Sequence, residues 1–363
     1  MPRRKSLLKY SLSFESQTAE SLNFEMTVAW DVVPKFKEWL GSVTLEELLT
    51  SHSLARHRCN REFGGGRRLS ITGIVDVGDM ATLQDATTLL TRHEIMAIPV
   101  YRQEPSLDEH IHVRVYEYWF TAVELLKYLM SVDLDVLEAQ GVSLSEVKAK
   151  LADHQWQPCV LIDPKTTLEQ LFKEYYGSVD PDRGIRNYLV GDALQMQAIT
   201  PTDFLRFFYL NAQESLSLIL ENSSGLIEGS RDFVYASLDE AAPSVLNRLI
   251  VEDRMVRVAA VHDAKHPLLL QLTSSELLPV DGQLSIDYLV HLRLRLELFL
   301  KVCGEAQSVE PFVLPSNSDL GAMIKRMLAY TVHCLWRLSQ DGHPVEVVSV
   351  KDVIRYLIHL SRQ

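Results

Sequence analysis

A spacing constrains this chain more than any single motif. A Ser or Thr at the end of an apolar stretch, followed three residues on by a carboxylate, occurs as Thr121-Ala-Val-Glu124, Thr200-Pro-Thr-Asp203, Thr273-Ser-Ser-Glu276 and Ser349-Val-Lys-Asp352. The four hydroxyls lie 79, 73 and 76 residues apart. Upstream of each lies an apolar strand pattern: Ile95–Tyr101, Ile185–Val190, Val256–Val261 and Val332–Trp336. Further upstream, Thr82, Thr167, Ser237 and Ser318 each head a helical pattern, placed to accept a bond from a free N–H of the first turn. The chain therefore reads as four copies of strand, helix, strand, strand, helix, an α+β fold. One such unit is too small to be stable by itself, so the copies are expected to pair.

The order of segments along the chain follows from the repeats. Residues 1–27 are polar and read as a partly disordered tail. Residues 28–130 hold repeat one behind a helical lead-in over Lys35–Ser51, and 131–212 hold linker helices and repeat two. Residues 213–285 are a linker with repeat three, the boundary between halves falling in Asn211–Ser230, and 286–363 are a linker helix, Ile286–Val302, with repeat four. Between the two late strands, repeat two has room only for a tight Gly191-Asp192 turn, whereas repeat one inserts Arg102–Val113, read as a surface loop.

Composition narrows the function. A hydrophobic fraction of 47% with 23% charged residues is that of a folded globular chain, and a net charge of −12 argues against nucleic acid or an anionic membrane as partner. The most apolar stretch, Ile286–Val302, carries Arg293, Arg295, Glu297 and Lys301 and reads as a soluble amphipathic helix. Cys59, Cys159, Cys303 and Cys334 are scattered without metal spacing, and Pro2-Arg-Arg-Lys5 is not followed by a secretory apolar run. Reduced thiols in the cytoplasm, with the nucleus also open to the chain, are the expectation. Gly64-Gly-Gly-Arg-Arg68 lacks the ending of a P-loop and reads as a surface connection, and Arg67-Arg-Leu-Ser70 fits a basophilic-kinase site. The twelve histidines form no nucleophile–base set, so no catalytic site and no metal or cofactor is expected.

The repeated unit ending in Ser/Thr-x-x-Asp resembles the cystathionine-β-synthase (CBS) motif. Four copies in one chain resemble the four-CBS regulators that include the gamma subunit of AMP-activated protein kinase, and Val332-His-Cys-Leu-Trp with Val347–Leu357 carries the likeness best. The resemblance implies two modules, each of two repeats about a pseudo-twofold axis, with AMP, ADP or ATP between repeats. It implies that the motif Asp bonds the ribose hydroxyls, that the hydroxyl beside it lies near phosphate, and that a basic residue opening the middle strand contacts phosphate. Carried onto this sequence, those residues are Thr200, Asp203, Thr273, Ser349 and Asp352, with Arg186, Arg257 and His333 at the basic position. A helix N-terminus favours an anion there.

The same four residues are also a capping box, which needs no ligand. Glu124 and Glu276, a methylene longer than Asp, read as caps. Met96 stands at the basic position of repeat one, and Cys334 follows His333 where such subunits carry Arg, leaving Arg337, Lys351 or Arg326 to supply charge. Two readings follow. One is a non-catalytic nucleotide sensor regulating a protein kinase through its catalytic and scaffold subunits. The other is a ligand-independent scaffold acting on a phosphatase or in stress and cell-cycle signalling, with the Phe204–Tyr209 helix or Ile286–Val302 as a docking face.

Overall fold

The computed structural model describes residues 33–50, 74–93, 95–105, 112–132, 140–176, 187–191, 196–221, 224–251, 255–256, 259–262, 268, 270–272, 277–303, 312–315, 318–330 and 332–363. The N-terminal tail, the Gly64–Ser70 segment and the candidate residues Arg186, Arg257 and Thr273 lie outside these.

Each repeat builds a small sheet in which its first strand runs parallel to its second, and the second antiparallel to its third. Repeat one orders β1 (Val77–Gly78), β2 (Ala97–Pro105) and β3 (His112–Thr121) in this way. Repeat two repeats it with β4 (Leu161–Ile162), β5 (Tyr188–Gly191) and β6 (Met196–Ile199). Repeat three uses β7 (Val234–Ser237), β10 (Ala259–His262) and β11 (Leu270–Leu272), with a two-stranded ribbon, β8 (Ile250–Val251) and β9 (Met255–Val256), between β7 and β10. In repeat four β12 (Cys334–Leu338) pairs with β13 (Pro344–Ser349), and the parallel first strand shrinks to a bridge between Val313 and Trp336. The described ends of the expected surface loop at Arg102–Val113, residues 102–105 and 112–113, are strand instead. Arg102–Pro105 pairs with His112–Val115, because Tyr101, Arg102, Tyr116 and Val115 continue the alternation and Asp76 anchors both Arg114 (2.6 Å) and the Tyr116 hydroxyl (2.5 Å).

Segments leading into the repeats are exchanged between neighbours. The lead-in of repeat one, helical over 33–42 and 45–50, docks on repeat two through Leu45 N to Thr166 O and Leu168 N to Val43 O, both 2.9 Å. The segment leading into repeat two returns the contact on repeat one through Leu144 N to Ala81 O (2.9 Å) and Leu83 N to Val142 O (2.7 Å). The segment leading into repeat four meets repeat three identically, through Leu296 N to Glu240 O and Ala242 N to Leu294 O, both 2.7 Å. Ser224, ahead of repeat three, donates to the Ser318 carbonyl of repeat four at 2.9 Å. Repeats one with two, and three with four, are thus tied as pairs.

Apolar faces then join the pairs. One core draws on repeats two and four with the lead-in helices, from Phe36 and Leu40 through Phe204 and Phe208 to Ile354 and Leu357. A second draws on repeats one and three, from Leu83 and Phe120 through Val245 and Leu272 to Tyr288 and Phe299. Gln84 on α1 (Leu83–Arg92) adds a polar tie from repeat one to the chain after repeat three, donating to Gly282 O (2.6 Å) and accepting from Leu284 N (2.8 Å). Gly282 sits at φ +72°, with Thr88 against its backbone, so a side chain is excluded there.

Several expectations from the sequence are corrected. Ser237 does not cap a helix. Residues Leu238–Ala242 are engaged by the repeat-four lead segment, and α7 (Ala242–Leu249) starts only where Pro243 fixes its first turn. In repeat four the cap is Asp319, whose Oδ1 accepts from Ala322 N at 2.5 Å, not Ser318. The helix expected at Thr273 starts outside the described residues; beyond it the described chain makes turns over residues 278–282, where Pro279 cannot continue a helix. The long Ile286–Val302 helix is two, α8 (Ile286–His291) and α9 (Leu296–Val302), broken where Leu294 pairs with Ala242. Phe204, Phe207, Phe208 and Tyr209 are buried, so that helix offers no docking face of aromatic side chains.

Candidate nucleotide-binding clefts

Three of the four motif hydroxyls lie among the described residues, and each caps the helix it was expected to cap. Thr121 heads α2 (Ala122–Ser131), Thr200 heads α5 (Pro201–Ser215) and Ser349 heads α11 (Val350–Arg362). All three form complete capping boxes. Thr200 N and Oγ1 donate to Asp203 Oδ2 at 3.0 and 2.7 Å, and Ser349 N and Oγ donate to Asp352 Oδ2 at 2.8 and 2.6 Å. In repeat one Thr121 N donates to Glu124 Oε2 at 2.8 Å, with its hydroxyl on the same oxygen. A box of this kind contributes on the order of 1 kcal/mol through its hydroxyl alone. Capping therefore accounts for one carboxylate oxygen in every case.

The second oxygen separates the repeats. Asp203 Oδ1 meets Arg206 at 3.2 Å and Asp352 Oδ1 meets Arg355 at 2.6 Å, each arginine one turn along the same helix. Glu124 Oε1 instead meets His154 Nε2 at 2.8 Å, both side chains buried. All three carboxylates are nearly covered, at 6% to 7% exposure, so a ligand reaching one must replace a protein partner. Arg355 is 41% exposed and can leave into water, whereas Arg206 is 13% exposed. Helices α5 and α11 pack against one another in the core shared by repeats two and four, which brings both Asp-bearing helices into one layer.

Comparison with known proteins bears on this geometry directly. The CBS-domain family model matches residues 304–359, the whole of β12, β13 and most of α11. Repeat four is thus similar to a CBS domain. A solved structure from Methanocaldococcus jannaschii, described as a putative archaeal homologue of gamma-AMPK, is similar over 78% of this chain and 95% of its own at 14% identity, with a TM-score of 0.58. An uncharacterized conserved protein from Pyrococcus horikoshii matches over 79% and 96% at 13% identity, with a TM-score of 0.43. No curated protein matches. The chain thus has the fold of a tandem CBS-domain protein.

Within CBS repeat four the structure brings three candidates together. His333 lies immediately before β12, and its carbonyl accepts from Val350 N at 3.0 Å, which sets it beside the Ser349 cap and the start of α11. Its side chain is exposed. In repeat two Thr200 and Asp203 stand together, with the basic position at Arg186 outside the described residues. Met96, at that position of repeat one, is half-buried and offers no charge. Cys334 is buried, its Sγ at 3.7 Å from Gln271 Oε1 on β11. The same oxygen accepts from Trp336 Nε1 at 3.0 Å, and Ala260 and Val347 complete this seam between the sheets of repeats three and four. Of the cations that could compensate, Arg337 is committed to Glu346 and to the Ser224 carbonyl. Arg326 keeps a buried Nε with no hydrogen-bond partner among the described residues.

Two features around the motif carboxylates escaped the sequence. The basic residue six positions after the motif hydroxyl (Lys127, Arg206, Arg355) recurs in three repeats and fails only at Pro279, a signal the spacing would have exposed. Tyr176, which ends a π-helical turn over Leu171–Tyr176, buries a hydroxyl with no hydrogen-bond partner among the described residues, close enough to feel Asp203. Burial first, then the neighbouring Tyr188 and Asp203, push that phenol far up, so it stays a neutral donor. π-turns are frequent at functional sites, and nothing in the sequence marked this one.

Proposed function

We propose that the chain is a non-catalytic regulator that binds an adenosine nucleotide (AMP, ADP or ATP) at CBS repeats two and four. The observation that carries the reading is the pair Asp203 and Asp352. Each stands at the N-terminus of a long helix, fixed through one oxygen by its cap, with the other oxygen held by an arginine that a ribose diol could displace. A diol donates two hydrogen bonds to such an oxygen pair, and the helix N-terminus with His333 favours the phosphate. In this reading the nucleotide favours one arrangement of the repeats, and a partner protein kinase, proposed from the gamma-subunit likeness, responds to that arrangement.

Thermal denaturation with AMP, ADP and ATP tests it. Ligand at about one hundred times its Kd stabilises a fold by about 2.7 kcal/mol. The reading predicts a rise in Tm that Asp203→Asn and Asp352→Asn each diminish. No rise with any of the three at millimolar concentration contradicts it.

The second reading, a ligand-independent scaffold working on a phosphatase or in stress signalling, draws support from the seam of repeats three and four. There Trp336, Gln271 and Cys334 satisfy one another in the space between sheets. Co-precipitation of a phosphatase with no nucleotide dependence would favour it.

A further inference from the structure

In repeats two and four the residue six positions beyond the motif hydroxyl is an arginine that closes directly on the motif carboxylate. In repeat one the corresponding residues are Lys127 and Glu124. His154 stands between them, Nε2 at 2.8 Å from Glu124 Oε1 and Nδ1 at 3.3 Å from Lys127 Nζ. The histidine comes from the strap entering repeat two, which runs antiparallel to β3 with Trp119 N bonded to Gln157 O at 2.9 Å. In repeat four the matching bond is Val347 N to Ser230 O, also 2.9 Å, so Gln157 and Ser230 occupy the same place. Counting back three residues along each strap, His154 takes the place of Ile227, which is buried and apolar. A titratable ring thus stands where the sister repeat has a hydrocarbon.

The surroundings hold this ring firmly. His154 packs edge-on against Trp156 at 5.0 Å, and Trp156 in turn against Tyr118 at 4.7 Å. An ammonium can only donate, so Nδ1 must present its lone pair to Lys127, and Nε2 must carry the proton it gives to Glu124. The outcome is a neutral Nε2–H imidazole between an anion and a cation. With Oε2 on Thr121 and Oε1 on His154, Glu124 has both oxygens engaged by the chain.

We propose that His154 is a built-in occupant of CBS repeat one: it clasps the strap onto Glu124, takes the oxygen that a ribose would use, and closes this repeat to nucleotide, leaving repeats two and four as the binding repeats. The clause about nucleotide rests on the function proposed above; the clasp itself does not. Unlike Arg355, the histidine cannot leave into water without pulling the strap away from β3.

The test uses the full-length protein. Long-range 1H–15N spectra of the imidazoles are recorded with and without saturating AMP or ATP, and Glu124→Gln, His154→Gln and the double variant are compared in Tm. The proposal expects the neutral Nε2–H pattern for His154, unmoved by nucleotide. Each single variant should lower Tm by about 3 °C or more, and the double variant should cost little beyond either, because both remove one contact. Glu124→Gln should keep nucleotide affinity within about twofold, while Asp352→Asn weakens it by about tenfold or more. A His154 signal that shifts on adding nucleotide, a Glu124→Gln loss equal to that of Asp352→Asn, or additive Tm changes would overturn it. If the wild type binds neither nucleotide, the proposed function fails, while the tautomer and the coupling still decide the clasp.

Discussion

Substitution of Gly229 by alanine is a severe test of how the repeats are strapped together. Gly229 lies where the chain entering repeat three crosses repeat four, and a Cβ built there would stand 2.5 Å from Val347 O, 2.8 Å from Glu346 Cγ and 3.0 Å from Val347 C. Two of these three atoms are backbone, so no rotamer change relieves the clash. Nor can the strap back away freely. Ser230 N and O both bond Val347, at 2.8 and 2.9 Å, and Gly229 N donates to Glu346 Oε1 at 2.7 Å, a carboxylate that also holds Arg337. Overpacking of this kind costs about 1–3 kcal/mol, and each strap hydrogen bond lost adds about 1 kcal/mol. A total of about 2–4 kcal/mol follows. At an unfolding entropy of about 2 cal/mol/K per residue, that lowers Tm by roughly 3–5 °C for a chain of this length. Gly141 is the control, since a Cβ there meets nothing within 4 Å, and Gly141→Ala should change stability by less than about 0.5 kcal/mol. Calorimetry of the two variants side by side decides the matter. Equal Tm values for Gly229→Ala and Gly141→Ala would mean that the strap does not cross β13 as described.

Other consequences are quickly checked. Gln271→Leu removes the acceptor of Trp336 Nε1 and leaves a buried donor unpaired, so it should destabilise by about 1–3 kcal/mol in denaturant titration, whereas Gln271→Glu restores an acceptor and should recover part of the loss. Burial pushes the Cys159 thiol up to about 12 from an ordinary value of 9.0. Its thiolate should therefore be scarce at pH 8, and alkylation followed by peptide mass spectrometry should run at least about a hundredfold slower in the folded chain than in urea. The sign for stability follows from the same shift. Below pH 9 both states hold the proton and the thiol contributes nothing to pH dependence; between 9 and about 12 only the unfolded chain ionises, so stability declines as pH rises through that window.

Much of the fold is legible in the sequence because caps and strand periodicity are local. Thr82, Thr121, Thr167, Thr200 and Ser349 each bond a backbone N–H within three residues, so the residues that encode the cap also make it. Ser237 defeats the same logic because it ends β7, and the place that Thr82 and Thr167 fill in repeats one and two, just before the N–H bonded by the lead segment, falls here on Ala241, which has no side-chain oxygen. Which repeat shares a core with which is equally invisible, for it depends on apolar faces such as Phe204 with Ile354, or Leu83 with Leu284, meeting across the whole chain. The sequence singles out Asp203 and Asp352 as candidate carboxylates and shows their capping boxes, but what holds their second oxygens was legible only in part. Arg206 and Arg355 lie one turn away on the same helix, whereas His154 reaches Glu124 from thirty residues downstream and marks itself by no motif.

The most direct trial of the central claim is a crystal structure of the chain grown with AMP. The account predicts adenylate density with its ribose hydroxyls on the carboxylate of Asp203, of Asp352 or of both, the displaced Arg206 or Arg355 turned aside, and Glu124 still bonded to His154. Density seated on Glu124, or full occupancy of a site that touches neither Asp203 nor Asp352, would contradict it.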